Sequence, residues 1–142
     1  MQCKIGNLLE AKENIIVHQV NELGVMGAGL ALQIKNKYPR VYEVYKKYCN
    51  EQCLGKIQLV KINEHQMICN MFSQRGISRT ERTTDYELIE QCFKKLRKLA
   101  DDTYVTIAIP YKIGCGLAGG DWKIVEALIK KYLPEAKIYR KE

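Results

Sequence analysis

The sequence predicts an α/β protein, a three-layer α/β/α sandwich around a central mixed sheet. Three observations carry this. The apolar run Ile15-Ile16-Val17 passes through a glycine loop into a helix-favouring run, Leu30, Ala31, Leu32 and Ile34. The same succession returns in Val105–Trp122, VTIAIPYKIGCGLAGGDW. Between them an alternating segment, Ile57–Ile62, and an apolar one, Gln66–Phe72, flank a hairpin turn at Asn63-Glu64-His65, which makes the sheet mixed.

In chain order, Gln2–Ile5 reads as a short strand and Ile15–Val20 as the first central one. Ala28–Lys37 is a helix that ends before Pro39. Pro39–Asn50 is a second, with proline near its start, where a missing N–H is harmless, and an apolar face of Val41, Tyr42, Tyr45, Tyr48 and Cys49. Ser73–Thr84 is polar and aperiodic, the longest loop, expected to be mobile and to border the edge where the glycine loops lie. Asp85–Ala100 is the clearest helix, with Leu88, Ile89, Cys92, Phe93, Leu96, Leu99 and Ala100 on one stripe and Thr83 or Thr84 as its N-cap. Strand Val105–Ile109, helix Asp121–Leu133, with Trp122 expected in the core, and strand Lys137–Tyr139 close the chain. Residues 1–142 read as one domain, large enough for a real core.

Composition bounds the function. No apolar run approaches the ~20 residues that span a bilayer, and the N-terminal stretch has no signal-like apolar region, so a cytoplasmic protein with no membrane partner is expected. The six cysteines read as reduced small hydrophobes, with Cys3, Cys69 and Cys92 on core faces. Cys49-x3-Cys53 with His65 lacks the second Cys pair of a zinc site, so no metal is expected. A formal net charge of +7 favours anionic partners. The basic residues are nonetheless spread over several helices without aromatic interleaving, and the charge reads first as a solvated surface.

The two glycine loops carry the chemistry. Each follows a strand and precedes a helix, so each points unpaired N–H groups and a positive helix end at its contents. An anion, most often phosphate, is the natural guest. Loops that leave parallel strands lie on one sheet edge, so both can converge on one diphosphate. The first loop reads GxxGxG, not GxGxxG, and no acidic residue stands where a dinucleotide oxidoreductase would hold its ribose, which disfavours that class.

Lys4-Ile5-Gly6-Asn7-Leu8, then Asn21 with Gly24-Val25-Met26-Gly27-Ala28-Gly29, then Pro110 with Ile113-Gly114-Cys115-Gly116-Leu117, Asp121 and Trp122, resemble the macrodomain family of ADP-ribose-binding α/β/α modules. The resemblance covers nearly the whole chain, and it is greatest to the branch whose members strip ADP-ribose from protein and DNA. It implies that Gly24–Gly29 holds the diphosphate and distal ribose from one side and that Ile113–Ala118 closes from the other. It implies further ligand contacts from Asn7, Leu8, Gln19, Phe72, Ser73, Gln74 and Pro110, with Asn21 facing the distal ribose. Asn7 stands where the family often has an aspartate bonded to the adenine amine. The glycohydrolases resemble one another in a catalytic lysine just after the strand that here ends at Phe72. This chain has Ser73-Gln74-Arg75 there and no lysine between Lys61 and Lys94, and Ala118 stands where the glycohydrolase has its partner aspartate.

Three residues are candidates for catalysis. Asn21, an amide at a strand end before a glycine loop, can position a hydroxyl or a water. His18 is either a near-neutral acid–base aimed at the distal ribose or a core strand histidine. Asp121 is either a catalytic carboxylate or a helix cap. Cys115 reads as a small residue that permits close approach. The expected protein is a monomeric ADP-ribosyl hydrolase acting on ADP-ribosylated protein or nucleic acid, with no cofactor. The alternatives are a reader without turnover and an ADP-ribose-1″-phosphate phosphatase.

Overall fold

The computed structural model describes residues 1–141. Its elements are β1 (Gln2–Ile5), β2 (Ile15–Asn21), α1 (Gly29–Lys37), α2 (Pro39–Tyr48), β3 (Ile57–Lys61), β4 (Met67–Gln74), α3 (Tyr86–Thr103), β5 (Ile107–Pro110), α4 (Trp122–Tyr132) and β6 (Lys137–Arg140), with short 3-10 turns at Leu8–Glu10 and Glu51–Cys53. The six-stranded sheet runs β1-β6-β5-β2-β4-β3. Among the described residues only β3 runs against its neighbour, pairing Ile57 with Met71 through Lys61 with Met67. The expected mixed α/β/α sandwich is what forms.

Alternation along β2 builds the layers. Ile15 and Val17 face α3 and α4, in a core with Met71, Ile89, Phe93, Leu96, Ile109, Val125 and Ile129. Ile16 and Val20 face α1 and α2, in a second core with Leu8, Ile34, Val41, Tyr45, Ile68 and Phe72. Both faces of the parallel strands are covered, so β2 is buried along almost its whole length.

Several boundaries differ from expectation. β4 runs on to Gln74 because Gln74 pairs with Thr84 across the base of the following loop. α3 is capped by Asp85, whose Oδ1 accepts the Leu88 N–H at 3.1 Å, not by Thr83 or Thr84. It runs past Ala100 to Thr103 and stops at Tyr104, whose φ of 57° ends the helical path. Val105 therefore belongs to the connection, and β5 starts at Ile107. Cys3 is exposed, not buried, because β1 is an edge strand open on both faces, whereas Cys69 and Cys92 are buried as expected. Trp122 is half-buried, packed on Tyr111 at a ring separation of 5.1 Å. No helix among the described residues is long and apolar enough to cross a membrane.

Candidate functional site

β2 and β5 are hydrogen-bonded parallel neighbours, pairing Ile15 with Ile107 and Ile16 with Ala108. The loops leaving their C-terminal ends, 22–28 and 111–121, therefore stand side by side on one sheet edge.

The first loop hangs on Asn21. Its Oδ1 accepts the N–H groups of Leu23 at 2.9 Å and Val25 at 3.4 Å, and its Nδ2 donates to the Val25 carbonyl at 2.8 Å. The Tyr45 hydroxyl lies 2.8 Å from the same Oδ1 and 2.9 Å from the Asn21 carbonyl. The amide expected to position a hydroxyl is thus committed to shaping Glu22–Val25. Beyond this, Ala28 stands at the N-cap of α1 with no side chain bonded to the helix start. Among the described residues the N–H groups of Gly29, Leu30 and Ala31 find no acceptor. A helix start left open in this way is an anion receptor.

The second loop is folded on itself. Gly114 takes a φ of 74°, and its carbonyl accepts from Gly120 N at 2.9 Å and Thr84 Oγ1 at 2.6 Å. Thr83 and Thr84 both donate backbone N–H groups to the Ala118 carbonyl. Gln19, on the underside, donates to Thr84 Oγ1 at 2.9 Å and accepts from Ser73 Oγ at 2.7 Å. These bonds spend the loop's carbonyls and leave the N–H groups of Gly116, Leu117 and Ala118 without acceptors among the described residues. A Cβ added at Gly116 would meet nothing within 4 Å, so that stretch borders open space.

The two helix starts differ. Asp121 caps α4, its Oδ1 accepting the Lys123 N–H at 2.9 Å, so a carboxylate already occupies that positive end. Two open helix starts were expected. Only α1 supplies one, and the second loop offers its backbone N–H groups instead.

Between the end of β1, the first turn of α1 and the ends of β5 and β6 lies a cavity of about 310 Å³. Three of the residues named as ligand contacts, Asn7, Leu8 and Pro110, line it, together with Leu30, Tyr139 and Arg140. The Tyr139 ring is fixed by its hydroxyl, which donates to Glu13, a buried carboxylate also 3.4 Å from Lys137 Nζ. Burial, with this bond, pushes the Tyr139 hydroxyl up to about 12.

His18 lies elsewhere. It is 1% exposed, and its Nε2 sits 2.6 Å from Asn70 Oδ1, while Asn70 donates in turn to Gln58. Burial pushes its pKa from 6.5 to about 4, against the bond to Asn70, so the ring is neutral and not a near-neutral acid–base. The core-histidine reading holds, with a side-chain partner. Met26, Phe72, Ser73 and Ile113, at 1%, 0%, 0% and 4% exposure, are almost wholly covered and support the loops from beneath. Gln74 turns its amide to the Gly76 carbonyl at 3.1 Å. Cys115 donates to the Ile113 carbonyl, and burial, with Asp121 nearby, pushes its thiol up to about 11, which removes it as a nucleophile. The foot of the Ser73–Thr84 loop is tied down by Arg75 N to Thr83 O, Asp85 N to Ser73 O and Gly76 N to Glu22 Oε1.

Sequence reading missed Tyr45, Thr84 and Tyr139. Tyr45 and Thr84 act across 24 and 30 residues of chain, with no local signature. The alternation of the closing strand could have flagged Tyr139.

Known proteins resemble this chain. A DNA ADP-ribosyl glycohydrolase of Thermus aquaticus is 32% identical over 137 residues, which are 90% of this chain and 36% of that protein. The corresponding protein of Mycobacterium tuberculosis is 31% identical over 85% of this chain, so the chain spans about a third of the length of these relatives, 35% in this case. An ADP-ribose 1″-phosphate phosphatase of Saccharomyces cerevisiae is 27% identical over 89% of each chain. The solved macrodomain of Thermus aquaticus DarG superposes with a TM-score of 0.80 at 29% identity, covering 99% of this chain and 97% of that one. The Macro domain family model matches residues 17–129, most of the sequence, and the chain belongs to that family.

Proposed function

We propose that the strand-end cleft binds a terminal ADP-ribose and that the protein hydrolyses the bond at the distal ribose anomeric carbon, releasing ADP-ribose from a protein carboxylate or a nucleic acid. One observation carries the binding half: two rows of unpaired N–H groups, Gly29–Ala31 and Gly116–Ala118, on loops that leave adjacent parallel strands. Each interaction of a phosphate charge with a helix start is worth ~0.3–2 kcal/mol. The base enters the cavity at Asn7, beside the first turn of α1. The glycohydrolase relatives support the hydrolytic half.

In the reaction water oxygen bonds to the anomeric carbon as the carrier leaves with a proton. Asp121, exposed at the end of the second loop, takes a proton from that water and returns it to the departing carrier, while its other oxygen caps α4. Asn21 acts by holding the first loop, and His18 by holding β2 to β4 through Asn70. No lysine adduct is available from the Ser73–Thr84 segment, and this route needs neither metal nor cofactor. The protein works as a monomer in the cytoplasm, and light scattering checks the first of these.

The test is ADP-ribose release from ADP-ribosylated protein and DNA, with Asp121→Asn as control. Turnover with either substrate, reduced at least tenfold in the variant, is expected. Tight ADP-ribose binding with no turnover would defeat the hydrolase reading in favour of a reader, which the committed Asn21 amide and the absent lysine already favour as second choice. The phosphatase reading retains its yeast relative, but the buried His18 ring supplies it no acid–base group.

A further inference from the structure

Charge is divided unevenly between the two helical layers. α3 balances four basic residues with four acidic ones. Ion pairs tie α3 and α4 internally and to each other, among them Arg97–Asp101, Lys130–Glu126 and Lys131–Glu90. α1 and α2 carry Lys35, Lys37, Arg40, Lys46 and Lys47 against one carboxylate, Glu43, and among the described residues none of these makes an ion pair. Helix dipoles favour the lysines in the last turns, but Arg40 stands in the first turn of α2, where the dipole repels it. The fold also gathers charge that is separate in the chain: Lys35 Nζ, on α1, lies 4.2 Å from the centre of the Tyr42 ring, and Lys46 Nζ 5.8 Å from it. This cluster adjoins the cleft. Tyr42 Oη is 3.4 Å from the Gly24 carbonyl oxygen, and Lys46 Cγ is 3.8 Å from the place a Cβ on Gly24 would take. Tyr48, 41% exposed, packs on Phe72 near the C-terminal end of β4, on the same sheet edge.

We propose that the outer face of α2, with the lysines gathered at Tyr42, is a docking surface for a single nucleic-acid strand, engaged whether or not the strand carries an ADP-ribosyl group. Unpaired like charges held together repel one another, and a phosphodiester chain neutralises them with release of its counterions. The exposed ring of Tyr48 offers a base something to stack on, which an acidic peptide would not use. The outward residues Arg40, Glu43 and Lys47 give a bilayer no apolar surface to enter. The proposal rests on the reading of the cleft as an ADP-ribosyl site for its purpose, since a strand held on α2 runs past the first loop, but its measurement does not use that site.

Fluorescence anisotropy of the full chain with a labelled, unmodified oligo-dT of about 20 nucleotides tests this, with urea melts to show that each variant is folded. The expected result is saturable binding that weakens at least tenfold between about 50 and 200 mM salt. Lys46→Glu/Lys47→Glu should weaken it at least tenfold, whereas Lys98→Glu/Lys130→Glu, the same change in net charge on α3 and α4, should weaken it less than threefold. Lys46→Gln/Lys47→Gln, which removes the charges without reversing them, should weaken it at least threefold. Absence of oligonucleotide binding overturns the proposal, as does an equal loss in the α3–α4 variant, which would make the effect one of net charge alone. A poly-glutamate peptide of the same length bound as tightly overturns it in favour of an acidic protein partner. ADP-ribose titrated in parallel separates the two readings: ADP-ribose bound without the oligonucleotide sinks this proposal and spares the cleft, and the reverse sinks the reading of the cleft while the surface stands.

Discussion

Asn21 and His18 sit three residues apart on the same strand, and burial gives them different work. Asn21 uses both ends of its amide to fold Glu22–Val25, with the Tyr45 hydroxyl against its oxygen. Asn21→Ala leaves the Leu23 N–H and the Val25 carbonyl without partners, while the Tyr45 hydroxyl keeps the main-chain carbonyl of residue 21, and is expected to cost about 1–3 kcal/mol in urea unfolding. The same variant should weaken ADP-ribose binding about tenfold in calorimetry, since the loop that meets the ligand loses its anchor. His18 is held neutral by burial, with a folded pKa of about 4 against 6.5 unfolded. The unfolded chain binds the extra proton first, so stability from this group is full above pH 6.5 and is lost as pH falls toward 4. The loss approaches about 3 kcal/mol at the lower end. Urea melts across this range should show a slope that His18→Gln flattens. Sequence could place His18 on a strand near a glycine loop. It could not show that Asn70, on a strand 52 residues away, would take the ring into the core.

At the scale of elements, α1 and α4 start after similar glycine loops and end up unlike. α4 carries its own carboxylate cap, while α1 has Ala28, in an extended conformation that would suit a cap. Ala28→Asp should therefore stabilise the free protein by about 0.5–2 kcal/mol and weaken ADP-ribose binding at least tenfold, because the new carboxylate takes the ligand's place. Paired melts and titrations check both signs. In the second loop, two glycines have opposite surroundings. A Cβ at Gly120 would stand 2.6 Å from the Gly114 carbonyl oxygen and 3.1 Å from Thr84 Cγ2, so Gly120→Ala should cost about 1–3 kcal/mol of stability. Gly116 faces open space, so Gly116→Val should leave the melting temperature nearly unchanged while it obstructs the ligand and raises Kd at least tenfold. Glycine spacing announced both loops. Which helix start stays open depends on whether the Asp121 side chain folds back, and both of its roles are compatible with the same sequence.

Across the whole molecule, the strands and helices were legible because the signals that make them are local. Period-two and helical patterning, Pro39 and the glycine loops placed every helix and strand within a few residues. The hairpin also announced that the sheet would be mixed. The order β1-β6-β5-β2-β4-β3 was not legible, since it depends on pairings between segments far apart in the chain. That order makes β2 and β5 neighbours and sets the two cradles beside each other. It also brings β6 beside β1 and so gives the cavity at Asn7 its Tyr139 wall. The division between surface and support was likewise invisible: Phe72 and Ser73 look like ligand contacts in the chain and are buried props in the fold.

The claim on which all of this turns is that both loops grip one nucleotide at once. Amide chemical-shift mapping by NMR during titration with ADP-ribose tests it most directly. Saturable shifts with a single Kd are expected at Gly29–Ala31, at Gly116–Ala118 and at Asn7 together. Shifts confined to one loop, or two sets that titrate with different affinities, would contradict it.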